Sequence, residues 1–404
     1  MDSCPPRSFR GLKGGLRSTL DRAGRILSLA SPLEYSTILT LCLSTCRCFR
    51  GGGLWIALLL SLGPLLGGCA NARLLSFNLD TPAQTLNTLG ASETHDGRQR
   101  FREIFCELLR QRGAPAAGCE SRLLRLRDEP IALPSKEKLP APDPRLVVVI
   151  VPGLFGECVS GLIEPFHLAT RNLARRGYRI HPYLVPGVSG GETNAAHIAA
   201  NWGKLQFQPG DRIVVLAHSK GALDMLRFLV DFPEEAAQIT ALVSVAGAVN
   251  GSPLASSLGT LLTELSREIP RVICDTGDLG AFDSLKRKNR LTWLAEKSLP
   301  DGVRYYSVAG IAGPGRVSAG LQPSYELLAN IDPRNDGMLL FYDQVIPGAT
   351  LLGYANADHW AIVYPVAELQ PELGSSLATR NDYPREALLE AILLYLSEDL
   401  GRRE

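Results

Sequence analysis

The stretch RIVVLAHSKGAL, residues 212–223, joins an apolar run to a helical pattern through a sharp turn. Residues 213–216 are apolar and mostly β-branched, which is typical of a strand that is buried on both faces of a sheet. The stretch therefore predicts a strand, a tight turn at Ser219 and a helix. After the turn, apolar side chains recur at helical spacing, at Ala222, Met225, Leu226, Leu229 and Val230.

Ser219 has a small residue two positions away on each side, Ala217 and Gly221. Strand and helix cross closely at such a turn, so little room remains for side chains. The pattern resembles the nucleophile elbow of the α/β-hydrolase family, Gly-x-Ser-x-Gly, with Ala217 in place of the first glycine, as in some bacterial lipases. The resemblance implies that Ser219 is a nucleophile, held in a strained backbone that lifts its hydroxyl above the sheet.

A second apolar run, LVVVIV at residues 146–151, predicts a central parallel strand that leads into PGLFG at residues 152–156. In α/β-hydrolases, the loop at this place supplies one backbone N–H of the oxyanion hole, and the residue after the nucleophile supplies the other. The resemblance implies that these donors are the amides of Leu154 and Lys220. The alternative is an ordinary glycine turn between a strand and a helix.

The order of residues near the C-terminus implies the rest of a catalytic triad. Asp336 lies in an Asn-Asp-Gly turn, and His359 follows a strand predicted at residues 350–354. Ser219, Asp336 and His359 follow the order of the α/β-hydrolase triad, in which histidine takes the serine proton and a carboxylate orients the histidine. Asp332 is a rival for the acid, because loop length does not decide which carboxylate reaches the ring.

Two residues next to the proposed triad, His218 and Asp358, are less suited to act in it. His218 is adjacent to the nucleophile and is expected to point to the other side of the turn, and Asp358 is too close in sequence to His359 to orient its ring. Lipases that the chain resembles bind calcium through an aspartate two positions after the histidine. Ala361 holds that position here, so we expect no metal, and no organic cofactor is implied.

Strands and helices alternate through residues 145–404, the predicted catalytic domain. This alternation, together with the resemblance, predicts an α/β-hydrolase fold with a mainly parallel central sheet flanked by helices. We interpret residues of about 254–300, a helical pattern rich in arginine and lysine, as a cap or lid over the site. A surface excursion without that role is the alternative. Residues 382–400 predict a closing amphipathic helix.

Residues 69–144 predict a helical N-terminal extension that packs on the main domain and ends in a proline-rich linker. The helix predicted at residues 98–112 has one apolar face. Cys106 and Cys119 lie near the end of this helix and in the loop that follows. They can form a disulfide in an oxidising compartment, or they can remain two buried thiols.

Residues 1–68 comprise an upstream segment and a sequence that resembles a bacterial lipoprotein signal peptide. The apolar run at residues 54–66 has thirteen residues, whereas a membrane-spanning helix needs about 20. Arginines precede this run, as in the charged region of a signal peptide. The alternative to a signal peptide is a buried hydrophobic helix. We expect residues 1–45 to result from a start codon that was assigned too far upstream.

The run ends in LGGC at residues 66–69, which resembles the lipobox of bacterial lipoproteins. The resemblance implies cleavage before Cys69 and a lipid on its sulfur. We therefore expect a protein anchored by lipid in the bacterial cell envelope, at the outer membrane.

The chain has 404 residues with 42 basic and 41 acidic side chains. Such a balance gives no indication of a nucleic-acid partner, which would require a basic face, and we expect none. The resemblance to bacterial lipases and esterases implies a serine hydrolase that cleaves acyl or lipid esters through an acyl-enzyme. The same triad can serve acyl transfer or thioester cleavage, and the same fold can serve a non-catalytic surface lipoprotein that binds a partner. The oligomeric state is left open.

Overall fold

The computed structural model describes residues 94–126, 129, 139–161, 163–257, 259, 277–380 and 382–402. The predicted signal peptide and Cys69 lie outside this part of the chain, as do residues 260–276 of the predicted cap. Within the described part, no helix has both the length and the apolar character needed to cross a membrane.

Within the described residues, eight strands form a single sheet: β1 His95–Asp96, β2 Leu123–Leu124, β3 Leu146–Val151, β4 Arg179–Pro182, β5 Arg212–His218, β6 Ile239–Val245, β7 Arg304–Gly310 and β8 Thr350–Ala355. Across the sheet their order is β1-β8-β7-β6-β5-β3-β4, and β2 also pairs with β8. All pairs are parallel except β2 with β8. This mainly parallel sheet confirms the predicted fold class.

Helices cover both faces of the sheet. The longer ones are α1 Arg98–Gln111, α4 His167–Arg175, α5 Gly191–Trp202, α6 Lys220–Asp231, α9 Arg287–Glu296, α10 Gln322–Ala329 and α13 Arg385–Gly401. The short ones are α2 Ala116–Glu120, α3 Gly156–Val159, α7 Pro233–Ala236, α8 Ala281–Ser284, α11 Val366–Leu369 and α12 Pro371–Ser376, with 3₁₀ turns at Ala319–Leu321 and Phe341–Gln344 and a further helical turn at 253–257.

The side chains of the central strands divide the core into two layers. Every residue of β3 and β5 is buried, and successive side chains of a strand point to opposite faces. Val148 and Ile150 of β3 pack in the layer that includes α4 and α13, whereas Val149 and Val151 pack in the layer that includes α5 and α6. The valine-rich runs therefore lie between two layers of helices, as their lack of polar residues predicts.

The strand order creates a crevice at the C-terminal ends of β3 and β5. Because β3 lies between β4 and β5, the chain leaves β3 toward one edge of the sheet and leaves β5 toward the other. Ligands bind where the loops diverge at such a switch point. Val151 pairs with Ala217, so the loop after β3 and the turn at Ser219 begin side by side.

Residues before 145 contribute strands to the sheet as well as the predicted helix. β1 and β2 both pair with β8. Phe101, Ile104 and Phe105 of α1 are buried in the core layer that contains α13. Cys106 of α1 and Cys119 of α2 form a disulfide, with 5.2 Å between their Cα atoms.

α13 differs from the amphipathic helix predicted at residues 382–400. Most of its side chains are buried, including Leu389, Ile392 and Leu393, which have no exposed area. The ring of Tyr395 lies against that of Phe101 on α1, with 6.3 Å between the centroids. The prediction of an exposed polar face was wrong because the sequence did not reveal that α1 covers this helix.

The described part of the predicted cap includes a helix that packs on the sheet. Trp293 and Leu294 of α9 are buried in the same core layer as Trp202 of α5 and Met225 of α6. α9 lies in the connection between β6 and β7, where a parallel sheet needs a crossover. The function of residues 254–300 as a lid remains a prediction.

Candidate functional site

Ser219 occupies the turn between β5 and α6. Its backbone has φ 55° and ψ −127°, a conformation that is strained for a residue with a side chain. The surroundings hold this conformation, because the Ser219 carbonyl accepts the amide N–H groups of Ala222 at 3.1 Å and Ala248 at 2.8 Å. A Cβ atom on Gly221 would lie 2.4 Å from the carbonyl oxygen of Pro152. The helix therefore packs directly on the loop after β3, which explains the glycine at position 221.

The loop after β3 packs against the side chain of Ser219. A Cβ atom on Gly153 would lie 2.5 Å from the Cβ atom of Ser219 and 3.0 Å from its Oγ, so only glycine allows the backbone to come this close. The next residue is Leu154, and Phe155 then turns the chain with a φ of 59°. The N–H of Leu154 is in the peptide bond that joins it to Gly153, so this donor belongs to the segment that packs against Ser219.

Lys220 begins α6. The first N–H groups of a helix have no acceptor within the helix, and its N-terminal end carries a partial positive charge. The Lys220 amide, next to Ser219 in the chain, is therefore well suited to stabilise negative charge. The two amide donors expected from the sequence are those of Leu154, which directly follows Gly153, and Lys220, which directly follows Ser219.

His359 lies between Ser219 and Asp336. Its Nε2 atom is 2.8 Å from Oγ of Ser219, and its Nδ1 atom is 2.7 Å from Oδ2 of Asp336. Because an ionised carboxylate only accepts hydrogen bonds, Nδ1 carries the proton and Nε2 accepts the hydroxyl proton. Asp336 has no exposed area and His359 is 4% exposed. The three side chains singled out from the sequence are therefore in direct hydrogen-bond contact.

Backbone amides hold the carboxylate of Asp336 in place. Its Oδ1 atom accepts the N–H groups of Met338 at 2.8 Å and Leu339 at 2.7 Å. Gly337 has a φ of +92°, a left-handed conformation that favours glycine and lets the chain turn back toward the carboxylate. The His359 amide donates to the Asp336 carbonyl at 2.8 Å. The loops after β7 and β8 are thus tied together at the site.

The rival acids have other partners. Asp332 accepts the Nε and Nη2 groups of Arg334 at 2.9 and 2.6 Å, as well as its amide. Asp358 accepts the amides of Trp360, Ala361 and Ser318 at 3.0, 2.7 and 2.6 Å. The structure therefore brings Asp336, and neither rival, to Nδ1 of His359.

His218 supports the site in a way that the sequence did not reveal. Its ring lies against the ring of His359, with 4.8 Å between the centroids, and against Tyr364. Its Nε2 atom is 3.1 Å from the carbonyl oxygen of His359. Burial holds the pKa of His218 well below its usual range, so the ring is neutral. Since a carbonyl can only accept, Nε2–H donates to it.

The expectation of no calcium rests on Ala361, which has no ligand atom in its side chain. Within the residues that the structure describes, no group of three or more histidine, cysteine, aspartate or glutamate side chains is placed to hold a metal ion.

The chain is similar to a metagenomic carboxyl esterase, MGS0156, whose crystal structure matches it with 40% identity and a TM-score of 0.69, covering 77% of this chain and 97% of that one. The mature lipase BlEst2 of Bacillus licheniformis matches with 21% identity and a TM-score of 0.44, over 55% of this chain and 89% of that one. Lipase 1 of Pelosinus fermentans matches with 13% identity and a TM-score of 0.46, over 63% and 99%. No family model matches the chain, and no curated protein does.

The sheet, the switch-point crevice and the match to MGS0156 define the class of protein as an esterase or lipase of the α/β-hydrolase fold. A sequence identity of 40%, with 97% of the solved chain covered, is high enough to identify the family as well as the class. The chain belongs to the same family as this carboxyl esterase, and it is a carboxylic ester hydrolase.

Proposed function

We propose that the chain hydrolyses carboxylic esters with Ser219 as the nucleophile, His359 as the general base and acid, and Asp336 as the residue that orients the histidine. One observation carries the proposal: His359 is 2.8 Å from the Ser219 hydroxyl through Nε2 and 2.7 Å from the Asp336 carboxylate through Nδ1. A serine hydroxyl is a weak nucleophile until a base accepts its proton. Here the base is within hydrogen-bond distance and its tautomer is set.

In the first half of the reaction, Oγ of Ser219 attacks the carbonyl carbon of the ester while its proton moves to Nε2 of His359. The carbonyl oxygen becomes negatively charged, and the amides of Leu154 and Lys220 stabilise it as the oxyanion hole. Such donors typically lower the barrier by a few kcal/mol each. The carbon–oxygen bond to the alcohol then breaks, and His359 gives its proton to the leaving alkoxide. The acyl group remains on Ser219.

In the second half, water replaces the alcohol. His359 accepts a proton from the water as its oxygen attacks the acyl carbon, and the same two amides stabilise the second oxyanion. The bond to Oγ breaks, Ser219 regains its proton from His359, and the carboxylic acid leaves. Asp336 stabilises the imidazolium in both halves without taking its proton.

The substitution Ser219→Ala tests this function. It removes the attacking oxygen and leaves the fold intact, so we expect turnover of a short p-nitrophenyl ester to fall by at least about 10⁴-fold. Circular dichroism and thermal unfolding serve as controls for folding. A folded variant with unchanged turnover would exclude Ser219 as the nucleophile.

For the substrate, we propose an acyl or lipid ester, in keeping with the carboxyl esterase that the chain resembles. Rates on a panel of esters with graded acyl length measure this preference. Transfer to an added alcohol, measured beside hydrolysis, separates water from other acceptors.

We also propose that the mature chain is held in the bacterial cell envelope by a lipid on Cys69. The disulfide between Cys106 and Cys119 supports an oxidising compartment, because such bonds are rare in the cytosol. Mass spectrometry of the protein purified from a bacterial membrane fraction tests the anchor. An unmodified Cys69, or a chain that still carries the residues before it, would contradict the proposal.

A further inference from the structure

A buried ion pair begins at the side chain of Lys220, the residue after Ser219, and its two charges have no part in the reaction as proposed. Nζ of Lys220 is 2.7 and 2.8 Å from the two carboxylate oxygens of Asp224, one turn further along α6. Each of these two side chains is 1% exposed. Removing two charges from water costs several kcal/mol for each, so a buried pair is a poor source of fold stability. A cation at the N-terminus of a helix is also unfavourable.

The pair extends to the helix that precedes β5. Nδ2 of Asn194, on α5, donates to Oδ2 of Asp224 at 2.8 Å and to the carbonyl oxygen of Pro186 at 3.1 Å. Asn194 has no exposed area. Its side chain therefore connects the start of α6 to the glycine-rich loop at residues 186–190.

That loop contacts the segment that carries the other proposed oxyanion donor. The carbonyl oxygen of Gly187 accepts the amide N–H of Phe155 at 3.1 Å. A Cβ atom on Gly187 would lie 3.0 Å from Cα of Phe155 and 3.2 Å from its nitrogen, so the two backbones are in close contact. Phe155 directly follows Leu154. A continuous set of contacts thus runs from Lys220, through Asp224 and Asn194, to the neighbour of Leu154.

We propose that Lys220, Asp224 and Asn194 form a positioning network that fixes the distance between the two amides of the oxyanion hole. The inference rests on the proposed function, in which Leu154 and Lys220 supply those amides. The network begins at the side chain of Lys220, the residue of one donor. Through the glycine-rich loop it reaches Phe155, the neighbour of Leu154, which is the residue of the other donor. Oxyanion donors must lie 2.7–3.1 Å from the developing charge, and a displacement of about 1 Å can lower a rate by about 10²-fold.

The double variant Lys220→Met/Asp224→Leu tests the network. It replaces both charges of the pair with apolar side chains of similar size, so neither Lys220 nor Asp224 is left as a buried charge without its partner. The matched control is Arg227→Met/Asp231→Leu, which removes an ion pair of the same spacing on the same helix. Nε of Arg227 is 3.1 Å from Oδ2 of Asp231, and neither residue belongs to the network.

The readouts are kcat and KM on p-nitrophenyl butyrate, the inhibition constant of a phenylboronic acid, and Tm. A boronic acid forms a tetrahedral adduct with the serine and places an oxygen where the oxyanion forms. We expect the double variant to fold, with kcat lower by about 10- to 100-fold, KM changed by less than about threefold, and boronate affinity reduced in parallel with kcat/KM. The control variant should keep kcat and boronate affinity within about twofold of the parent, because its ion pair has no contact with the oxyanion hole.

A folded double variant with kcat and boronate affinity within about twofold of the parent would overturn the network while leaving the proposed function standing. Equal losses in the control would overturn it as well, because they would reveal a general effect of the helix. If the double variant does not fold, Asn194→Ala provides the second test: a folded protein with unchanged kcat refutes the network, and a lower kcat with weaker boronate binding supports it. Failure of the proposed function itself would appear separately, as unchanged turnover in Ser219→Ala.

Discussion

The two halves of the site are built in different ways. The nucleophile half consists of the loop after β3, the end of β5 and the start of α6, and it is held by close backbone packing around Gly153 and Gly221. The acid–base half consists of the long loops after β7 and β8, and it is held by hydrogen bonds from amides to Asp336 and Asp358. The geometry of the nucleophile half depends on glycines, which have no side chain. The geometry of the acid–base half depends on the carboxylates of Asp336 and Asp358.

The largest effect is expected at the carboxylate that orients His359. In Asp336→Asn the amide nitrogen can donate to Nδ1, which favours the wrong tautomer of the ring, so we expect kcat to fall by about 10⁴-fold. In Asp332→Asn the change affects only a residue paired with Arg334, and kcat should stay within about threefold. Steady-state kinetics of both variants provide the measurement. A loss in Asp332→Asn with normal turnover in Asp336→Asn would reverse the assignment of the acid.

A smaller effect is expected at His218, which belongs to β5 but contacts the other half. The variant His218→Phe keeps a ring against His359 but loses the donor to its carbonyl oxygen. An unsatisfied buried acceptor costs about 1–3 kcal/mol, and we expect kcat to fall by about 10-fold as the base becomes less well positioned. His218→Gln can place its Nε2–H near the same carbonyl and should recover most of the rate. If the two variants turn over equally, the hydrogen bond does not position the base.

The last prediction concerns stability rather than rate, and it compares two buried carboxyl groups of the same loop. Asp336 accepts two amides, whereas Asp343 is buried with Nη2 of Arg287 at 3.0 Å from Oδ1. Burial raises the pKa of Asp343 from 3.8 to about 7. The folded state therefore holds this proton more tightly than the unfolded state does. The stability that results is full below about pH 4 and is lost as the pH rises through about 7.

The variant Asp343→Asn should remove this dependence. At pH 8 we expect the variant to have a higher free energy of unfolding than the parent. At pH 5 the difference between variant and parent should be smaller than at pH 8, by on the order of 1–3 kcal/mol. Urea unfolding of both proteins at the two pH values provides the measurement. A difference between variant and parent that is the same at pH 5 and pH 8 would contradict a raised pKa at Asp343.

The contrast between the halves also explains what the sequence could predict. The strand, turn and helix around Ser219 are contiguous in the chain, so apolar periodicity was enough to find them. Asp332 and Asp336 lie four residues apart in one loop, and only the fold reveals that Arg334 pairs with Asp332 while the amides of Met338 and Leu339 hold Asp336. Such side-chain pairing has no periodic signal.

Long-range packing was hidden for the same reason. The sequence of residues 95–124 predicts a helix but not that two short strands beside it extend the sheet at β8. The buried α13 and the contact of His218 with His359 also depend on segments that are distant in the chain. In each case the packing partner came only from the fold.

The most direct test of the account is covalent labelling with a fluorophosphonate, followed by peptide mass spectrometry. This reagent reacts with a serine whose proton is taken by a neighbouring base. If Ser219 is the nucleophile and His359 its base, we expect a single labelled residue, Ser219, in the parent chain and much slower labelling in His359→Ala. No labelling, labelling at another residue, or an equal rate in His359→Ala would contradict it.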